Sequence, residues 1–192
     1  NRFFQPVEGY DQIAEVRKEP DQLINIGSSW HTDHSYDQIP AMGSILLAIE
    51  TPKVGGDTLF ASMYRAYETL SDGLKRSLEG LKAIHSSRHI FGKESGYEEA
   101  SNHRIGNPEL ATQDAVHPVI IIHPESQRKA LYVNADFTLN FEGWTVEESK
   151  PLLEFLYAHG SKLENTTRFK WEPGSMAFWD NRCTWHYALN DY

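Results

Sequence analysis

The chain predicts a mainly β fold with helices inserted between the strands. Three observations carry this. Apolar runs of strand length are the commonest patterned segments, and Gly or Pro turns bound most of them. Helical periodicity is confined to two stretches. Strands and helices do not alternate regularly, which favours a β-sandwich or jelly roll with helical decoration over a doubly wound α/β fold. The 192 residues suit one domain spanning 1–192, with enough chain to bury a core.

The first thirty residues read as polar and irregular, punctuated by Pro6, Gly9, Pro20 and Gly27. Gly43–Glu50 reads as a buried strand ended by Thr51-Pro52. Gly55-Gly56 marks a turn, and a short strand starts at Asp57. Residues 62–81 read as helix in two pieces, with Ser71 as N-cap of the second and Leu70, Leu74, Leu78 and Leu81 at helical spacing. Residues 89–116 are polar and aperiodic and form a candidate lid. His117–His123 and Ala130–Val133 read as paired strands around a turn at 124–129. The block Thr145-Val-Glu-Glu148 is a capping box that opens a helix to about 159, with Leu152, Leu153, Phe155 and Leu156 as its buried face. Residues 168–171 and 175–179 read as short strands around Pro173-Gly174.

Net charge is −9 and composition is that of an ordinary globular protein: 40% hydrophobic, 23% charged, 12% aromatic. An acidic surface argues against nucleic acid or an anionic membrane as the main partner, while leaving a small ligand open. No apolar run has membrane-spanning length and no leader is visible, so the expectation is a cytoplasmic protein. The single cysteine, Cys183, rules out an internal disulfide and reads as small core filler.

The chemistry rests on Trp30-His-Thr-Asp33 near the front and Trp179-Asp-Asn-Arg-Cys-Thr-Trp-His186 near the end. On an extended segment, residues i and i+2 point to the same face, so His31 and Asp33 can reach one metal. Taken alone, a His-x-Asp is weak, because nine histidines make a chance match easy. His186 supplies a third donor if a late strand packs beside an early one; otherwise it is a core histidine between two tryptophans. Two imidazoles and one carboxylate form the ligand set of a non-haem Fe(II) site with open positions. Thr58, after Gly55-Gly-Asp57, is either a turn threonine or a hydroxyl donor to a bound carboxylate.

Trp30-His-Thr-Asp33, Gly55-Gly-Asp-Thr58 and Trp179-Asp-Asn-Arg-x-x-x-His186 resemble, in order and spacing, the signature of the taurine dioxygenase family of Fe(II)- and 2-oxoglutarate-dependent oxygenases, which also includes 2,4-dichlorophenoxyacetate dioxygenase. Ala66-Tyr-Glu-x-Leu70, His117-Pro-Val119 and Leu131-Tyr-Val-Asn134 match as well. The resemblance runs from about residue 28 to the end and implies a double-stranded β-helix (jelly roll), read here as truncated at both ends: the chain starts at Asn1 rather than Met. It implies His31, Asp33 and His186 as Fe(II) ligands, Thr58 as a 2-oxoglutarate contact, O2 as co-reactant, and hydroxylation of a small organic substrate with release of succinate and CO2. It also implies an arginine beyond the distal histidine, on a strand that this sequence, ending at Tyr192, does not reach; Arg182 matches a different family position. Substrate contacts carry over to His34, Phe91 and Phe137. His34 stands where taurine-specific members have a small apolar residue, which speaks against taurine itself; the histidine either meets an anionic or hydroxylated substrate or faces solvent. Tyr36, Arg88, His89 and Arg104 read as solvated loop residues, and Asn134 as a hydrogen-bonding turn residue. A homo-oligomer is what the family suggests. Two other readings stay open: a catalytically incomplete metal-binding jelly roll, and a zinc hydrolase at the same three side chains.

Overall fold

The computed structural model describes residues 2–4, 6–19, 22–23, 25–93, 95 and 107–192. In chain order these form a hairpin β1 (Pro6–Val7) and β2 (Tyr10–Ala14), then β3 (Gly43–Leu47), β4 (Thr58–Ser62), α1 (Met63–Glu68), α2 (Asp72–Leu78), β5 (Lys82–Ser86) and the short α3 (Arg88–Phe91). There follow β6 (Asp114–Pro118), β7 (Ile120–Ile122), β8 (Lys129–Leu131), β9 (Thr138–Phe141), α4 (Val146–Gly160), β10 (Thr166–Phe169), β11 (Met176–Asp180) and β12 (Thr184–Ala188). The middle of the expected lid (94 and 96–106), including Arg104, lies outside the described residues; its ends carry α3, a 3₁₀ turn at Pro108–Leu110, and the start of β6.

All strand pairs are antiparallel, in the orders β10-β4-β12, β11-β3, β6-β5-β9, β7-β8 and β1-β2. The register of the first sheet separates two faces. Ala61 opposite Trp185 points into the main core, while Phe60 opposite His186, with Thr58 opposite Ala188, occupies the other face. Alternation along a strand is what lets one segment serve both. The core side gathers Ala61, Met63, Leu78, Leu131, Phe141 and Trp185, with Leu153 and Leu156 from α4. The end of α4 comes so close that a Cβ on Gly160 would sit 2.5 Å from the Trp185 ring, so only glycine fits there. In the β11-β3 sheet, Ser44 lies opposite Trp179; on the reverse face Ile45, Leu47, Met176 and Phe178 are exposed.

Local chemistry explains the helix starts. Ser62 and Ser71 cap α1 and α2 by accepting from Arg65 N and Leu74 N. Thr145 and Glu148 form the reciprocal capping box of α4.

Several expectations need correcting. The first thirty residues are not irregular throughout: they hold the β1-β2 hairpin, and Phe3 is fully buried in a second aromatic cluster with Tyr36, Phe91 and Phe137. Tyr36 is therefore a core residue rather than a solvated one. Phe155 is exposed, because the buried arc of α4 runs through Leu153, Leu156 and His159. His117 belongs to β6 and pairs with Ala83 of β5, leaving only Ile120–Ile122 to pair with Lys129–Leu131. Strands β5, β9 and β12 carry no alternation long enough to be read from sequence.

Candidate metal centre

The segment entering His31 runs antiparallel to β12. His31 N donates to His186 O at 3.2 Å and His186 N donates to His31 O at 2.8 Å. Residues that exchange both backbone bonds carry their side chains on one face, and the two imidazoles lie with ring centroids 4.1 Å apart. Asp33 sits where this segment gives way to a turn. Its Oδ1 is 3.7 Å from His31 Nε2 and 3.8 Å from His186 Nε2, and one donor atom from each residue lies within 4.8 Å of the others.

The surroundings fix which atoms are offered. His31 Nδ1–H donates to Ser29 O at 2.8 Å, which leaves Nε2 as the ring nitrogen turned toward Asp33. Ser29 Oγ donates to Asp136 Oδ1 at 2.6 Å, which places Asp136 Oδ2 3.7 Å from the same His31 Nδ1. Asp33 Oδ2 accepts from Ser44 Oγ at 2.5 Å, and Ser44 Oγ accepts from Asn181 Nδ2 at 3.0 Å. Trp179 packs on His186 at 4.8 Å between centroids, with Phe60 beyond it. His186 Nδ1 is buried without a partner among the described residues.

Protonation states match metal ligation. Burial pushes His186 down to about 3, reinforced by its neighbour His31 and only partly opposed by Asp33, so its imidazole is neutral at ordinary pH. Burial works to raise Asp33, but His186, His31, Ser44 and His34 together outweigh it, and the carboxyl is held below its usual range. Neutral nitrogens beside one carboxylate oxygen are the donor set for a divalent metal of intermediate softness. The residues fit such an ion.

Thr58 opens β4 just after Gly55-Gly56, both at positive φ (78° and 71°). That turn suits only glycine, since a Cβ on Gly55 would lie 2.4 Å from Asp191 O. Thr58 shares the sheet face of His186, and its Oγ1 accepts from Trp171 Nε1 at 2.9 Å. Its own hydroxyl proton therefore remains for another acceptor. Next to it, Asp57 Oδ2 accepts from Arg168 Nε at 2.5 Å, and Arg168 also reaches Asp191 at 3.3 Å.

The residues expected to meet substrate divide. Phe137 stands edge-on to His31 at 6.2 Å. Phe91 lies a layer behind, stacked on Phe3 at 4.4 Å. His34 takes a left-handed backbone conformation (φ 60°), and its Nδ1–H donates to Asp37 Oδ2 at 2.9 Å. Arg2 pairs with the same Asp37. Arg88 is tied to Asp114 at 3.2 Å, and His89 reaches Asp136 O. Asn134 is the buried turn residue expected: it accepts from Phe137 N and donates to Ser35 Oγ, both at 3.0 Å.

A second group, His123, Asp180 and Cys183, also brings three metal-type donors together. It is an ion-pair brace. Asp180 accepts from Arg182 N and Nε at 2.9 Å, from Arg182 NH2 at 2.7 Å and from His123 Nε2–H at 2.9 Å. These partners hold Asp180 down to about 2 although burial opposes it, and burial raises the Cys183 thiol. Arg182 also pairs with Glu125 at 3.0 Å, so it is not free for a ligand carboxylate. Ser44, Asn181, Ser29, Asp136 and Trp171 escaped the sequence reading. Only Asn181 had a signal, as a member of the Trp-Asp-Asn-Arg block.

Comparison with known proteins now settles kinship. A family profile described as taurine catabolism dioxygenase TauD, TfdA family, matches residues 2–192. The chain belongs to the TauD/TfdA family. Its relatives include a protein of Acinetobacter baylyi named alkylsulfatase, 36% identical over 188 residues (96% of this chain, 58% of the relative). Another, of Pseudomonas putida, is named alpha-ketoglutarate-dependent sulfate ester dioxygenase and is 35% identical over 188 residues (97% of this chain, 61% of the relative). A crystal structure of a taurine dioxygenase from Burkholderia xenovorans superposes with TM-score 0.76 at 34% identity, covering 96% of this chain and 57% of that one. The chain thus spans under two thirds of the length of these TauD/TfdA relatives. Among the described residues no helix is long and apolar enough to cross a membrane.

Proposed function

We propose that this protein is an Fe(II)- and 2-oxoglutarate-dependent dioxygenase that hydroxylates a small anionic organic molecule and releases succinate and CO2. The observation that carries the reading is the convergence of His31 Nε2, His186 Nε2 and Asp33 Oδ1, with His31 held by Ser29, Asp33 by Ser44, His186 neutral and Asp33 ionised. In this reading those three atoms hold the iron. That ion would supply oxidation of a substrate C–H bond by O2, coupled to decarboxylation of 2-oxoglutarate.

The chain's own residues position and shield. Thr58 donates its hydroxyl proton to a carboxylate of 2-oxoglutarate, with Trp171 occupying its oxygen so that the hydroxyl points outward as a donor. Trp179 and Phe60, 5.3 Å apart, exclude water behind His186. Phe137 walls the side of His31 where a substrate would lie; Phe91 backs it, and His34, oriented by Asp37, stands at the rim. The two sheets β10-β4-β12 and β11-β3 are taken as facing walls of a jelly roll, because Phe60 and His186 of one meet Trp179 of the other. Relatives named for sulfate esters support an anionic substrate. A cytoplasmic setting fits the lone unpaired cysteine.

The test is oxygen-dependent succinate formation across alkyl sulfates, alkylsulfonates and aryloxyacetates. Substrate-stimulated succinate release that disappears in His186→Ala is expected. Iron binding with no 2-oxoglutarate turnover on any of these classes would favour a metal-binding homologue instead.

A further inference from the structure

We propose that Ser44 and Asn181 are positioning residues that make Asp33 a one-oxygen ligand. The inference rests on the metal-centre reading above and adds to it a reason why a position on the metal stays open. Asp33 has two oxygens in different surroundings. Oδ1 faces both imidazoles at 3.7 and 3.8 Å. Oδ2 is turned away and accepts from Ser44 Oγ at 2.5 Å. A carboxylate accepts only, so the serine hydroxyl must spend its proton on Asp33. Its oxygen then accepts from Asn181, which fixes the amide with Nδ2 toward Ser44 at 3.0 Å. The order Asn181 to Ser44 to Asp33 is thus forced by donor and acceptor counting.

The fold holds both residues from independent directions. Ser44 is on β3 opposite Trp179 of β11, on the side facing the site. Asn181 follows β11, is 1% exposed, and is held by its backbone: its N donates to Met42 O at 3.0 Å and its O accepts from Thr32 Oγ1 at 2.5 Å. Thr32 is the residue between the two front ligands, so one asparagine ties the late motif to the early one. Flanking Asp180 and Arg182 lock the turn through their own ion pair. A carboxylate without the Ser44 bond is free to rotate and ligate through both oxygens, which would consume a position that the cosubstrate needs.

Co(II) serves as the probe, because its ligand-field spectrum reports ligand number and its binding is read without turnover. The protein is expected to bind one Co(II), lost in His31→Ala. Ser44→Ala is expected to change the ligand-field spectrum and weaken Co(II) binding by roughly tenfold or more, as loss of a residue that orients a ligand typically does. Ser44→Thr, which keeps the hydroxyl, is expected to restore both, with the thermal midpoint of the metal-free protein unchanged across the pair. Asn181→Ala is expected to give the same spectral change with a smaller loss of affinity. Parental spectrum and affinity in Ser44→Ala overturn the proposal while leaving the three ligands standing. Failure of the parent protein to bind Co(II) overturns the proposal together with the metal-centre reading.

Discussion

Stability of the metal-free protein is expected to fall as pH drops from 6.5, and His85 gives the clearest measure of it. His85 is fully buried on β5, with Nδ1 3.3 Å from Thr138 Oγ1 and Nε2 unpartnered among the described residues. Burial, then the nearby His117, pushes it from 6.5 down to about 3. The folded value lies below the unfolded one, so the unfolded chain takes up a proton that the folded chain refuses. Its contribution is therefore fully present above pH 6.5 and lost progressively as pH falls toward 3. Each pH unit in that window costs about 1.4 kcal/mol for one such group, so between pH 6.5 and 5.0 the loss is about 2 kcal/mol. His186, also held near 3, contributes a second increment of similar size when no metal is bound. Urea midpoints of the metal-free protein and of His85→Gln at pH 7.5, 6.5, 5.5 and 5.0 measure this. The variant is expected to be less stable at pH 7.5 but to lose about 2 kcal/mol less on acidification. Parallel pH profiles for the two proteins would refute the assignment of a neutral, buried His85.

Three further outcomes follow from the site. Thr58→Val is expected to raise the 2-oxoglutarate requirement about tenfold, the ~1.4 kcal/mol at the upper end of one hydrogen bond, and Trp171→Phe, which frees Thr58 Oγ1, by a few-fold; titration of succinate formation against 2-oxoglutarate checks both. His31→Ala is expected to abolish Fe(II) binding without unfolding the protein, as read by iron stoichiometry and circular dichroism. Gly160→Ala forces a Cβ to 2.5 Å from the Trp185 ring and is expected to cost roughly 1–3 kcal/mol in urea unfolding; because Trp185 adjoins His186, metal affinity should fall as well.

What sequence could reveal was governed by range. The capping box at Thr145, the Ser71 cap and the Gly55-Gly56 turn are local chemistry, and each appears where the residues predict. That His31, Asp33 and His186 converge was legible because their residue types are rare in combination and their motifs come in a set order. Strand β12 was not, since Thr184–Ala188 has no clean alternation: Trp185 belongs to the core while His186 belongs to the site. Phe3 was missed because only the fold brings it against Phe91. Ser44 and Asn181 carry no motif of their own; a serine on a strand becomes a ligand's partner only when β3 pairs with β11. The residues proposed to meet substrate were the least legible: Phe137 stands beside His31, while Phe91 packs behind it in the same aromatic cluster and His34 is held by Asp37.

The most direct test of the account is an anaerobic titration of the metal-free protein, first with Fe(II) and then with 2-oxoglutarate, following the weak visible charge-transfer band of the chelate. One Fe(II) per chain, a band that grows with 2-oxoglutarate, and loss of both in His186→Ala are the predicted result. Absence of Fe(II) binding, or binding that survives the loss of His186, would contradict the assignment of His31, Asp33 and His186 as the metal centre.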